Sequence, residues 1–123
     1  MYSEAMRRET IAGHTLRPVT PDELKAWCLE MPLAEETFPF NPEASVFKIA
    51  GKVFAITRLS GEPLDVSVKC EPELGETLRE THESIVPGYH LNKRHWITVT
   101  LNADVDDALV RDLVRDSYDL VKP

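Results

Sequence analysis

Apolar residues recur at helical spacing in three segments, near the start, middle and end of the chain. A helix that packs one side on a core carries such a stripe. The first segment opens with Thr20, three residues before a glutamate, which is typical of a capping box, and the second opens with Pro72, which suits the first turn of a helix. In the third, Asp104 is placed to cap the helix. The pattern predicts three helices.

Apolar and polar residues alternate in four shorter segments, as expected of strands with one buried face. Two of them form "SVFKIAGKVFAIT" and are separated by Gly51-Lys52, which predicts a hairpin. The others are "LDVSVKC" and "HWITVTL", whereas 32–44 and 83–94 are interpreted as linker and loop. The element order α-β-β-β-α-β-α favours the α+β class, with a central antiparallel sheet packed on one face by helices in a single domain, 19–123. Residues 1–18 are expected to form an N-terminal extension outside it.

The alternation also predicts which side chains share a face of the sheet. Six apolar residues should point into the core: Phe47, Ile49, Val66, Val68, Ile97 and Val99. Lys48, Lys69, Trp96 and Thr98 then fall on the opposite face, where the two lysines and the threonine are expected to be mainly exposed. Such a face is either an ordinary solvated surface or a basic surface with an aromatic stacking platform for nucleic acid.

Charge is distributed unevenly along the 123 residues. The formal net charge is -7, with 21 acidic against 14 basic residues, yet no Asp or Glu occurs from Ser84 to Ala103. An acidic balance repels nucleic acid at long range, so a nucleic-acid function would need a local basic surface. No segment approaches the roughly 18 apolar residues of a membrane span, and the N-terminus lacks the apolar core of a signal peptide. We therefore expect a cytoplasmic protein that does not bind membranes.

Candidate chemistry is sparse. His90 and His95 lie five residues apart without a neighbouring carboxylate or cysteine, so the spacing does not favour a metal site. Cys28 and Cys70 are expected to be reduced and buried. The chain has no phosphate-binding glycine motif and no metalloprotease motif. We expect no cofactor, no metal and no enzymatic activity.

Four stretches, "VFKIAGKVFAI", "VSVKCEPEL", "PGYHLNKRHWITV" and "SYDLV", resemble the MmcQ/YjbR-like family of small bacterial cytoplasmic proteins. The resemblance runs from about Thr20 to Val121. It implies an α+β domain with a double-wing DNA-binding motif, related in shape to CyaY-like and secretion-chaperone-like folds. The chain departs from the family pattern at Asn41, where Gly is usual, and at Ile97, where Asn is usual.

The resemblance and the local charge together give a set of candidate nucleic-acid-binding residues: Lys48, Lys52, Lys69, Tyr89, His90, Asn92, Lys93, Arg94, His95 and Trp96. In this hypothesis Lys93 and Arg94 contact phosphates, and Trp96 or Tyr89 stacks on a base. Two alternatives stay open. The stretch 87–96 could be purely structural, with Pro87 setting a turn, or the patch could bind an acidic protein or a small anionic ligand. A monomer or weak dimer is expected.

Overall fold

The structure is a computed structural model that describes residues 10–11, 14–15, 18–88 and 91–123. The predicted N-terminal extension, 1–18, lies largely outside these residues. Within them the helices are α1 (Pro21–Leu29), α2 (Pro72–Thr81) and α3 (Asp107–Val121). The strands are β1 (Thr10–Ile11), β2 (His14–Thr15), β3 (Glu35–Thr37), β4 (Ser45–Ile49), β5 (Lys52–Thr57), β6 (Asp65–Lys69), β7 (Ile85–Pro87) and β8 (Trp96–Thr100). None of the helices in the described part could span a membrane, for want of length and of an apolar run.

The main sheet of the described residues has six strands in the order β3-β4-β5-β6-β8-β7, all pairing antiparallel. β1 and β2 pair separately. The α+β class and the predicted order of helices and strands are confirmed. The two edge strands, β3 and β7, lie where the sequence predicts linker and loop, because each is only three residues long and too short to show alternation.

The β4–β5 hairpin forms as predicted, but its turn is one residue earlier. Ala50 and Gly51 both have positive φ, 51° and 79°, as a two-residue turn between twisted strands requires. Lys52 is therefore the first residue of β5 rather than part of the turn. The sequence predicts the turn one residue too late because alanine rarely adopts positive φ.

The start of α3 also differs from the prediction. Asp106, not Asp104, is the N-cap, and its carboxylate accepts a hydrogen bond of 2.9 Å from the Leu109 N–H. Asp104 instead accepts from the backbone N–H groups of Glu83 (3.0 Å) and Ser84 (3.2 Å), ahead of β7. A carboxylate two residues upstream of the cap thus fixes a neighbouring loop, a long-range role that local spacing does not reveal.

All three described helices pack on one face of the sheet, here called the helix face. The six predicted core residues lie in one buried cluster with apolar side chains of α1, α2 and α3. Leu24 of α1 and Val114 of α3 are almost fully enclosed in it. The α1 capping box is present as predicted, with the hydroxyl of Thr20 accepting from the Glu23 N–H at 3.2 Å. The prediction of one helix-covered face is confirmed.

A serine of α3 fills an opening in the sheet. β5 and β6 pair only at Ala55–Val68 and Ile56–Ser67, next to a bulge in β5. Beyond these pairs the Ser117 hydroxyl accepts from the Lys69 N–H at 2.8 Å and donates to the Phe54 carbonyl at 2.6 Å. It replaces the missing ladder bonds, so α3 fixes the end of β6 that carries Lys69.

Candidate nucleic-acid interface

Strand register places the predicted lysines and the tryptophan in one row. Phe47 pairs with Ala55, Ala55 with Val68 and Val68 with Ile97, all on the helix face. The next pairs along these strands are Lys48–Val53 and Lys69–Trp96, and their side chains point to the other face of the sheet. These residues are Lys48 on β4, Val53 on β5, Lys69 on β6 and Trp96 on β8.

We call this second face, with Lys48, Lys69 and Trp96, the lysine face. Lys48 and Lys69 are two strands apart, with β5 between them, and Trp96 is one strand beyond Lys69. The predicted shared face is confirmed. β3 places Glu35 opposite Lys48 at the edge of the sheet. The sequence assigns Glu35 to a linker, so a carboxylate beside Lys48 is not predicted.

The predicted exposure of this face is only partly correct. Lys48 and Lys69 are half-buried rather than mainly exposed, and Trp96 beside them is half-buried as well. Thr98 is buried, with 7% of its surface exposed, so its predicted exposure is wrong. Its hydroxyl lies 2.7 Å from that of Ser67, its cross-strand neighbour. Two hydroxyls that hydrogen-bond each other can stay buried on a face that alternation assigns to solvent.

Lys52 does not join the row. It pairs with Ile49, a core residue of the helix face, and so falls on the opposite side of the hairpin from Lys48. Lys52 is a candidate because of the family resemblance and the local charge, not because of the alternation that predicts the shared face. Lys52 is exposed, but it belongs to the tip of the hairpin.

The segment 91–95 is held by the side chain of Asn92. Its Oδ1 accepts from the N–H groups of Arg94 (2.9 Å) and His95 (3.2 Å), and its carbonyl accepts from Trp96 N–H (3.0 Å). Asparagine side chains commonly stabilise turns in this way. Asn92 is a candidate nucleic-acid contact in the sequence, but in the structure its acceptor oxygen is used to shape the loop.

Lys93 is also engaged within the loop. Its Nζ donates to the carbonyl of Gly88 at 2.6 Å, which ties the start of the loop to its middle. The Nζ group has two further hydrogen-bond donors. Arg94 is exposed, and within the described part of the chain it forms no ion pair. Of the two predicted phosphate contacts, Arg94 is the more available.

Close contact with Trp96 explains why residue 88, at the start of the loop, is a glycine. Its N–H donates to the Trp96 carbonyl at 2.9 Å, and a Cβ built on it would lie 2.6 Å from the Trp96 Cβ. Real Cβ atoms do not approach so closely, so only glycine fits beside this tryptophan. The structural interpretation of the stretch therefore accounts for Gly88, Asn92 and part of Lys93.

Three candidate nucleic-acid contacts remain, of which two lie outside the described residues and one has a mainly structural role. Tyr89 and His90 lie outside the described residues. His95 is exposed, and its carbonyl accepts from the Cys70 N–H at 2.9 Å, joining the loop to the end of β6. Among the described residues no group of three His, Cys, Asp or Glu side chains could hold a metal ion. Ile97, the departure from the family pattern, points into the core and away from the lysine face.

The two thiols are poorly suited to nucleophilic chemistry. Both Cys28 and Cys70 are free and buried, as predicted. Burial, reinforced by the Glu36 carboxylate, raises the pKa of Cys28 to about 12. Burial and nearby carboxylates also raise the pKa of Cys70. A protonated thiol is a weak nucleophile, so neither cysteine is suited to covalent chemistry.

The sequence and the fold both match known proteins. The YjbR family model matches residues 29–120. The chain is 43% identical over 98 residues to the uncharacterized protein YbdF of Escherichia coli O157:H7, covering 79% of this chain and 80% of that protein. It is 36% identical over 100 residues to the uncharacterized protein YjbR of Escherichia coli K12, covering 81% and 85%.

Two solved structures share the fold. A crystal structure of a Deinococcus radiodurans protein with a DUF419 domain is 48% identical, with a TM-score of 0.79, over 83% of this chain and 78% of that chain. A crystal structure of a Pseudomonas syringae protein is 25% identical, with a TM-score of 0.73, over 85% of this chain and all of that one (100%). Both likenesses extend over most of the described residues.

Proposed function

We propose a function for this chain, which belongs to the YjbR family: it binds DNA through the cationic end of its lysine face. Lys48, Lys69 and Arg94 contact phosphates, and Trp96 packs on a sugar or base. The β4–β5 hairpin and the segment 87–96 act as the two wings of a double-wing motif. The function requires a cytoplasmic location, as the sequence predicts.

The alignment of Lys48, Lys69 and Trp96 in one row carries the proposal. Phosphate contacts need cations spaced along a surface, and an aromatic side chain among them adds stacking that tolerates any base. Arg94 extends the cationic surface from the sheet into the adjoining loop. Within the described residues neither lysine nor Arg94 is consumed by an ion pair.

The net charge of the chain sets the character of the binding. At -7 the protein repels DNA at a distance, and only the local surface attracts it. We therefore expect weak binding with little sequence preference and a strong dependence on salt. Glu35, which pairs with Lys48 across the edge of the sheet, places a carboxylate next to that lysine and marks the outer limit of the proposed surface.

The test uses two double variants that remove equal charge. Lys48→Gln with Arg94→Gln alters the proposed surface, whereas Arg115→Gln with Lys122→Gln alters the exposed side and the C-terminal end of α3. The control residues already pair with Asp112 and Asp119 (3.3 and 3.1 Å). Lys93 is left intact because its bond to Gly88 supports the loop.

Binding is measured by fluorescence anisotropy with several labelled duplexes, after thermal melts establish that both variants fold. The first variant should bind every duplex more weakly by a similar factor, and the control should bind as the parent does. Equal weakening in both variants would mean that only net charge matters. If the parent binds a small anion or an acidic protein but not DNA, and the first variant alone fails to bind it, that ligand replaces DNA in the proposal.

A further inference from the structure

A groove adjoins the end of β6 at Lys69 and is lined otherwise by residues that have no role in the proposed DNA contact. It lies between the N-terminal part of α2 and the C-terminal half of α3, at the end of β6, and is an open cavity of about 230 Å³. For comparison, an apolar cavity of roughly 150 Å³ accommodates benzene. The space is therefore large enough for one bulky apolar side chain.

The groove has an apolar floor and apolar rims. Cys70 and Leu113 are buried and line its floor. Leu74 on α2 and Leu120 on α3 line its sides, yet 41% and 46% of their surfaces are exposed. Two large apolar side chains exposed on either side of one apolar cavity form a continuous patch, and such patches mark binding sites more often than isolated exposed leucines do.

Carboxylates surround this apolar patch. Glu71, Asp116 and Asp119 line the groove, against the single cation Lys69. Asp119 is paired with Lys122 at 3.1 Å. Within the described part of the chain, however, Asp116 forms no ion pair, and the Glu71 side chain does not cap α2.

Like charges already crowd Asp116. Burial and the carboxylates of Asp112 and Asp119, on the same helix, raise the pKa of Asp116. A positive group placed beside Asp116 would relieve this repulsion. The groove therefore complements a ligand that is apolar at its centre and cationic at its edges.

We propose that the α2–α3 groove docks a basic amphipathic helix of a partner protein. One large apolar side chain of that helix enters the cavity between Leu74 and Leu120, and flanking Lys or Arg side chains contact Asp116 and Glu71. A helix laid in a groove between two helices presents its apolar residues at intervals of three and four, which matches apolar contacts on both rims. The net charge of -7 favours a cationic partner at long range as well.

The test uses the full chain and a panel of synthetic helical peptides. Each peptide carries lysines on one side and Leu, Phe or Met on the other, and a matched set carries glutamates instead of lysines. Binding is followed by anisotropy and by NMR chemical shifts of the labelled protein. At least one lysine peptide should bind and shift amides of α2 and α3, and the glutamate peptides should not bind.

Matched variants separate docking from simple charge attraction. Leu74→Ser with Leu120→Ser should weaken binding roughly tenfold or more, which corresponds to about 1.4 kcal/mol. The control, Leu29→Ser with Val86→Ser, removes apolar groups of similar exposure elsewhere and should bind as the parent does. Asp116→Asn should also weaken binding.

Three results would overturn the proposal: no lysine peptide binds, binding is unaffected by the two rim substitutions, or the shifted amides lie elsewhere. The Lys48→Gln with Arg94→Gln variant should bind the peptide normally. Failure of that variant to bind the peptide would place the peptide on the lysine face and would likewise reject the α2–α3 groove as its site.

Discussion

The Ser117 hydroxyl is expected to contribute more to stability than its size suggests. It is fully buried and joins the Lys69 N–H to the Phe54 carbonyl, with bonds of 2.8 and 2.6 Å. Replacement by alanine leaves one backbone donor and one backbone acceptor without a partner between β5 and β6. Each unsatisfied buried group costs roughly 1 to 3 kcal/mol, so the loss of both bonds in Ser117→Ala should lower the free energy of unfolding by about 2 to 6 kcal/mol.

The free energy of unfolding is measured by urea denaturation, with Thr81→Ala as the control. The Thr81 hydroxyl also donates to a backbone carbonyl, at 2.7 Å, but on the exposed side of α2, so its removal should cost less than about 0.5 kcal/mol. Hydrogen exchange gives a second measurement, because the Lys69 amide should lose protection while the β6–β8 ladder keeps it. A Ser117→Ala cost below about 0.5 kcal/mol with unchanged Lys69 protection would refute the reasoning.

Three further predictions concern other sites. Gly88→Ala should destabilise the fold by roughly 1 to 3 kcal/mol through overpacking against Trp96, and unchanged unfolding together with unchanged tryptophan fluorescence would contradict this. Cys28, with a pKa of about 12, should react with a thiol reagent at pH 8 only as fast as the protein opens, so rapid labelling of the native protein would count against its burial. Hydrogen bonds from Ser84, followed by other contacts, lower the pKa of Asp104, which therefore stabilises the fold above its unfolded pKa of about 3.8 and loses this effect as pH falls through the lower folded value. Asp104→Asn should accordingly be less stable than the parent near neutral pH, with a difference that closes in acid; a difference independent of pH would exclude the charge as its cause.

The parts of the fold that follow from local pattern were predictable. Thr20 and Glu23 identify the start of α1, because both partners of the capping box are three residues apart in sequence. Val66 and Val68 alternate with polar residues, and this was sufficient to assign them to the core and to place Lys69 opposite. Side-chain direction in a strand depends only on parity, so the shared face of the lysines followed as well.

The remainder depends on contacts between distant residues. Ser117 bonds to backbone groups 48 and 63 residues away, and no spacing rule identifies such a bridge. The bond from Lys93 to the Gly88 carbonyl is local, but a lysine in a charged stretch gives no sign that it closes its own loop. β3 escaped notice because prolines surround it, and so Glu35 was not expected beside Lys48.

The salt dependence of DNA affinity tests the proposed function most directly. Each phosphate contact contributes roughly 0.9 to the slope of log K against log salt, so the parent should show a clear negative slope on duplex DNA. Lys48→Gln with Arg94→Gln should reduce that slope by roughly two, because it removes two cations that each contact a phosphate, while Arg115→Gln with Lys122→Gln should leave it unchanged. A parent protein without salt-dependent binding, or equal slopes for the parent and the lysine-face variant, would contradict DNA binding through this surface.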